Sequence, residues 1–243
     1  MRGITMFTHR ARVGAAFTVL SAVTVAVTVS AAAPGVAQTG PLGIADPVAV
    51  LTGAASINAT ESRYEVKGTD LGIMWTDEHG YILTAFGDTF GAKWTGVDSG
   101  FANPTTIDWR SNTLARSSDR NPAHGLHFDS FITDRAGPAK ELLPSLKRNG
   151  VEMTKIPTGG INIGGRNYLA YRSVRRFTTP GHWITNYSGI AYSDDGGENW
   201  HEASSARQLN TSDLDQKFQM IAFARRDGFV YVFGTPNGRF GNA

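Results

Sequence analysis

Residues 193–200 read SDDGGENW, a stretch of the form S-x-D-x-G-x-x-W. Its residue types suit a self-contained turn. Asp195 can accept backbone N–H groups within the loop, Gly197 supplies a residue with positive φ, and Trp200 can pack under the turn. A turn of this kind joins two antiparallel strands, and the sequence around it agrees. YILTAF (81–86), INIGGRNYLAYRSV (161–174), SGIAYS (188–193), MIAFA (220–224) and FVYVFG (229–234) are β-branched or aromatic runs separated by GGR, DDGG and RDG. AKELLPSLKR (139–148) alone has a helical pattern, and Pro144 restricts it to a short turn. The chain therefore reads as all-β with repeated hairpins, which means a sandwich, a barrel or a propeller.

The 193–200 stretch is close to the Asp-box turn of sialidase-type propellers, with Asn199 where those usually carry Thr. Such turns are structural, so Asp195 is read as a loop residue and not as a catalytic one. The favoured fold is a β-propeller, with strand–turn–strand units around 70–91, 161–174, 186–200 and 219–234 as its blades.

The chain has 243 residues, 41% hydrophobic and 18% charged, which is ample for a sizeable core. Residues 1–37 read as a signal peptide: Arg2, Arg10 and Arg12 precede an apolar run from Val13 to Ala33, and Gly35-Val36-Ala37 offers small residues for cleavage before Gln38. Residues 38–60 read as a linker and 61–243 as the propeller. Export to the cell envelope or medium is expected, with no stable membrane insertion once the leader is removed. Three of the 23 Lys and Arg lie in that leader, leaving 20 against 21 Asp and Glu. No basic stripe remains to attract nucleic acid. There is no cysteine, which excludes disulfides and thiolate metal sites. His124 and His127, spaced i, i+3, are too weak a pattern for zinc. GGINIGG (159–165) lacks the following helix of a nucleotide loop and reads as a blade turn. No cofactor and no metal are expected.

Asp70–Gly91, DLGIMWTDEHGYILTAFGDTFG, is a hairpin with an aspartate near each end. A loop at Asp77–Gly80 sets Asp70 opposite Gly87, whereas a two-residue His79-Gly80 turn sets it opposite Thr89. Either register brings Asp70 and Asp88 side by side at the open end. A paired-acid site and a pair of loop-capping aspartates both fit that placement.

GTDLGIMW, LTAFGDTFG, WRSNTLARS, FDSFITD, IPTGGINIGG, TNYSGIAYSDDGGENW and FQMIAF…VYVFGTPNGRFG resemble, in this order, the exported actinobacterial family catalogued as domain of unknown function 4185. Its characterised members are endo-D-arabinanases of glycoside hydrolase family 183. The resemblance runs from about Gly68 to Gly241. It implies a β-propeller of about five blades acting on the D-arabinan of mycobacterial arabinogalactan and lipoarabinomannan. It also implies that the aspartates of TDLG and GDTF, here Asp70 and Asp88, are the catalytic pair. Which of the two is the acid stays open.

Asn103, Arg110, Asn112, Asp129, Asn186, Tyr187, Gln219 and Arg239 are candidates for hydrogen bonding to furanose hydroxyls. Trp94 and Trp183 are candidates for stacking on sugar faces, while Trp75 and Trp109 read as blade core. Met74 and Phe90 are candidates for the apolar surroundings that would split the two pKa values. Strand-end carboxylates on neighbouring strands favour inversion of the anomeric centre.

The chain stops at GTPNGRFGNA, where the family continues into further strands. That leads to two expectations: an incomplete ring, and self-association through an open edge at the strand of Tyr231 and Phe233. If PVAVLTGAASI (47–57) paired with that edge, the ring would close instead. A non-catalytic wall-glycan binder is the alternative function. An exo-sialidase is disfavoured, because no spaced set of carboxylate-binding arginines is evident.

Overall fold

The computed structural model describes residues 47–91, 93–96, 107–134, 137–179, 182–209 and 218–235; the leader and residues 236–243 lie outside them. Those residues form an all-β architecture with one short α-helix, α1 (Thr60–Tyr64), and one 3₁₀ turn at Ser204–Ala206. No helix among them is long and apolar enough to cross a membrane.

The first sheet contains β1 (Gly68–Thr76), β2 (Ile82–Phe90), β3 (Trp109–Arg110), β4 (Thr113–Ser117) and β5 (Ser130–Phe131). Its order is β1-β2-β4-β5, with β3 also paired to β2. The second contains β6 (Thr154–Ile163), β7 (Arg166–Phe177), β8 (Trp183–Ser193), β9 (His201–Glu202) and β10 (Gln208–Leu209), in the order β10-β8-β7-β6 with β9 on β8. The third is the hairpin of β11 (Met220–Arg226) and β12 (Phe229–Thr235). The leading strand of each sheet touches the leading strand of the next, β1 against β6 and β6 against β11. That succession of antiparallel meanders is compatible with consecutive propeller blades.

Local turn chemistry explains most hairpins. Gly164 and Gly165 (φ 59° and 88°) form the two-residue turn between Ile163 and Arg166, and Asp227-Gly228 (φ 51° and 77°) does the same between Arg226 and Phe229. In the 193–200 turn, Asp195 Oδ1 accepts from the Asn199 backbone N–H (2.9 Å) and the Ser193 hydroxyl (2.8 Å). Trp200 Nε1 donates to the Gly197 carbonyl at 2.9 Å, and Gly197 has φ 94°. Asn199, standing where Thr is usual, adds a side-chain bond to Asp195 Oδ2 at 2.8 Å.

The β1–β2 loop takes neither expected register. Thr76 faces Ile82, and Asp77 Oδ1 accepts from the backbone N–H of both His79 (3.0 Å) and Tyr81 (2.8 Å). A loop closed by Gly80 (φ 85°) is what that carboxylate stabilises.

The first two sheets pack through Trp75, Leu83, Leu114, Leu169, Tyr171 and Ala191. Each large apolar side chain buried there contributes roughly 1.5–3 kcal/mol. Gly159 and Gly160 do not form the expected turn. They lie inside β6, next to a bulge after Pro157, and make room for both neighbouring sheets. A Cβ at Gly160 would stand 2.1 Å from the Trp75 ring, and one at Gly159 would stand 2.7 Å from the Ile221 carbonyl oxygen. On the far side an apolar groove of about 290 Å³, lined by Ile161, Tyr168, Ile190, Phe223 and Val232 among others, separates the second and third sheets.

Residues 139–148 form no helix. The backbone N–H groups of Leu142 and Leu143 donate to Asn112 Oδ1 instead, at 3.1 and 2.8 Å, while both leucine side chains are buried. Tertiary hydrogen bonding overrides the local preference there. The 47–57 segment lies beside Gly125 and Leu126 on the first sheet, where Asn58 donates to the carbonyls of Leu51 and Leu126 and accepts from the Phe128 N–H. It does not pair with β12, whose one strand partner among the described residues is β11.

Gly160→Ala is expected to lower stability by roughly 1–3 kcal/mol, because the indole of Trp75 is buried and held by a 3.0 Å hydrogen bond to Asn167. Urea unfolding checks this, and a midpoint unchanged from wild type would mean that the notch is not tight.

Candidate active site

The open end of the β1–β2 hairpin carries an irregularity that simple pairing rules do not anticipate. Thr69 pairs with Thr89 and Leu71 with Phe86, so Asp70 alone faces both Gly87 and Asp88. Two residues opposing one is a β-bulge, a device that re-aims side chains. Leu71 and Gly72, at φ 64° and 126°, absorb a second shift on β1 before regular pairing resumes at Ile73. The Thr89 hydroxyl donates to the Gly87 carbonyl at 2.8 Å and lies 2.8 Å from the Thr69 hydroxyl, pinning the bulge. Gly87 leaves the space that the Asp70 carboxyl fills; an added Cβ would fall 2.2 Å from Asp70 Oδ1.

The two aspartates differ in environment. Asp70 is exposed, whereas Asp88 is 5% exposed. Asp88 Oδ1 accepts from Trp109 Nε1 (2.9 Å) and from the Thr154 hydroxyl (2.5 Å), the first on β3 and the second across the sheet junction on β6. Burial pushes the Asp88 carboxyl up to about 7 and the nearby charge of Asp70 adds to the rise, against the two hydrogen bonds and Lys147, which favour the ionised form. Phe90, Trp109 and Met153 form the apolar wall, and Trp94 stacks on Phe90 at 5.0 Å. Met74 is 59% exposed and forms no part of the wall. Lys147 is chelated by Glu141 at 2.6 and 2.8 Å and lies 5.7 Å from the Trp109 ring.

The remaining candidates are spread over the molecule. Arg110 is buried and donates to the carbonyls of Tyr64, Glu65 and Ala139 with an ion pair to Asp108, tying α1 to the first sheet. Asn112 is fully buried, accepting from two backbone N–H groups and donating to the carbonyls of Leu143 and Lys155. Both side chains serve the backbone, since a buried amide or guanidinium must be matched by partners. Asp129 caps the Ser118 N–H at 2.7 Å. It lines an acidic cleft of about 420 Å³ at the loop end of the hairpin, with Asp77, Arg116 and Asp195.

Asn186 is the bulged residue of β8, bonded to Arg175, Ser173 and the Val151 carbonyl. Tyr187 bonds Glu152 at 3.3 Å and stacks against Arg207. Gln219 is 1% exposed, with its backbone N–H on Thr235. Trp183 is covered by the Arg172 guanidinium at 3.9 Å. Asn103 and Arg239 lie outside the described residues.

Trp109 is core, as its sequence context suggests, yet its indole N–H also reaches Asp88. Thr154 had no sequence signal, because its partner is 66 residues away on another sheet.

Against known proteins, the family model for the domain of unknown function DUF4185 matches residues 55–243. Notoamide biosynthesis cluster protein J of Aspergillus sp. (strain MF297-2) is 34% identical over 183 residues, covering 70% of this chain and 46% of the relative. Notoamide biosynthesis cluster protein J' of Aspergillus versicolor is 31% identical over 185 residues with the same coverages. The chain thus spans a little under half the length of these relatives. Among solved structures, a candidate hydrolase of Bacteroides ovatus has a TM-score of 0.34 at 11% identity, covering 63% of this chain and 41% of that one. A protein of unknown function from Dyadobacter fermentans has a TM-score of 0.36 at 14% identity, covering 68% and 42%. With its match extending over most of its length, this chain belongs to the DUF4185 family.

Proposed function

We propose that the chain carries the acid/base centre of an exported glycoside hydrolase that cleaves furanosidic D-arabinan within the chain, as found in mycobacterial arabinogalactan and lipoarabinomannan. The observation that supports this best is the unequal pair: a buried carboxyl titrating near neutrality beside an exposed one, both set by one bulge. Glycoside cleavage needs one carboxyl that is protonated and one that is ionised at the same pH.

Asp88 fits the acid. It gives its proton to the glycosidic oxygen as the C1–O bond breaks and the bonding electrons pass to that oxygen. Asp70, open to solvent, fits the base. It takes a proton from the water whose oxygen bonds to C1, which inverts the anomeric centre. A proton returned to Asp88 from solvent and one lost from Asp70 complete the cycle. The aromatic wall of Phe90, Trp94 and Trp109 keeps the acid in surroundings of low polarity.

Incubation with arabinogalactan, with chromatography of the released oligosaccharides, tests the reading. Asp88→Asn and Asp70→Asn are each expected to lower turnover by roughly 10²–10⁴-fold. Binding without release would favour the alternative of a wall-glycan binder. No interaction at all would remove both. For the wild type, kcat/KM is expected to fall as pH rises through about 7, as Asp88 loses its proton. NMR of the first-formed anomer reads the stereochemical course, and a retained configuration would make Asp70 a nucleophile instead. Gly87→Ala is expected to displace the Asp70 carboxyl and depress turnover while leaving Asp88 in place.

The same group makes a stability prediction of opposite practical sign. The folded pKa of Asp88 lies above its ordinary value of 3.8, so its favourable contribution is complete below about pH 4 and is lost as pH rises through about 7. That loss is on the order of a few kcal/mol. Asp88→Asn, which cannot ionise, is therefore expected to be more stable than wild type at pH 8 and to flatten the pH dependence of urea unfolding. A variant less stable than wild type at pH 8 would show that the fold favours the Asp88 carboxylate and that its pKa is not raised.

A further inference from the structure

The hydrogen bonds of Asp88 are unevenly divided between its two oxygens. Trp109 Nε1 and the Thr154 hydroxyl both donate to Oδ1. An indole N–H can only donate, so the oxygen it faces has carbonyl character in the neutral acid. The Thr154 hydroxyl, approaching the same oxygen at 2.5 Å, takes up its remaining lone pair.

We propose that Thr154 and Trp109 are positioning residues for Asp88: by converging on Oδ1 they hold the transferable proton on Oδ2 and stabilise the carboxylate left when that proton departs. The catalytic part of this rests on the glycosidase reading above; the placement of the proton does not.

As the proton leaves Oδ2 for the glycosidic oxygen, negative charge spreads over the carboxyl. Both donors then become charge-assisted hydrogen bonds, which are shorter and about twice as strong as neutral ones. The donors are in place beforehand, so little reorganisation accompanies the transfer. Thr154 is completely buried and anchored by its backbone on β6, where it faces Val174 of β7. Trp109 is held in place by its packing with Phe90, ring centroids 6.5 Å apart and planes 23° apart. The acid thus belongs to the first sheet, and one of the groups that orients it belongs to the second. A donor pair that only satisfied a buried carboxyl would be expected to serve both oxygens; here both serve one. The other ionisable groups acting on Asp88 are Asp70 on β1, which raises its pKa, and Lys147 in the loop before β6, which lowers it and is itself paired with Glu141.

The test uses Thr154→Val, which keeps the shape and deletes the hydroxyl, and Trp109→Phe, which keeps a ring against Phe90 and deletes the N–H. Thr154→Ser is the rescue. The Asp88 carboxyl is titrated by ¹³C NMR in the intact chain labelled at aspartate, with Asp88→Asn giving the assignment. Both deletions are expected to raise the Asp88 pKa, because each removes a bond that favours the ionised form. Both should also lower kcat on arabinan about 10- to 100-fold with KM little changed, and move the alkaline limb of activity to higher pH. Thr154→Ser should restore all three readings.

An Asp88 titration unmoved in a folded Thr154→Val protein overturns the proposal, as does a loss confined to KM. A raised pKa in both deletion variants of a protein inert towards every arabinan supports the hydrogen-bond assignment while removing the glycosidase reading, so the two failures are distinguishable.

Discussion

A carboxyl group placed where two sheets meet has to shed its charge or find donors, because the water that would solvate it is excluded. Asp88 meets that demand from both directions, with a proton retained to near neutrality and two donors drawn from separate sheets. Its neighbours follow from this one requirement. Thr154 has to be buried at the start of β6 within hydrogen-bond reach of β2, Trp109 has to turn its N–H inward, and the hairpin has to bulge so that Asp70 faces Asp88. The packing of the first two sheets and the chemistry of the site are therefore a single arrangement.

Much of the fold was legible because it is encoded locally. Gly164-Gly165, Asp227-Gly228 and the 193–200 turn each specify their conformation within a few residues, and the strands between them are runs rich in β-branched and aromatic residues. The failures share a cause in long-range packing. Gly159-Gly160 looks the same on paper as Gly164-Gly165, but its reason is the Trp75 indole on another sheet. Residues 139–148 have a helical composition, yet the Asn112 amide, some thirty residues earlier, claims their backbone.

The site divides in the same way. Asp70 and Asp88 could be paired from the hairpin alone, since a two-stranded unit carries its own register, although the bulge that sets their facing could not. Arg110 and Asn112 looked like sugar ligands because they are polar residues in a β-rich chain. Burial commits them elsewhere, because their donors answer backbone carbonyls that would otherwise lack partners. Thr154 shows the opposite limit, a residue with no distinguishing context that becomes chemically important only through what folds against it.

The Asn58 cluster bears on where the folded unit can be cut. The recognisable family match begins at residue 55, but the Leu51 carbonyl accepts from Ser56 Oγ and Asn58 Nδ2, and Leu51 packs against the cluster of Val66, Phe86 and Phe128. The boundary visible by similarity therefore falls inside a knot of tertiary contacts, several residues after the polypeptide has begun to contribute to the core. A shortened polypeptide starting at residue 55 would keep every residue of the two-aspartate site and still lose the strap that closes the outer side of the first sheet. Expression yield and protease resistance would then register a defect that no inspection of the two-aspartate end would reveal.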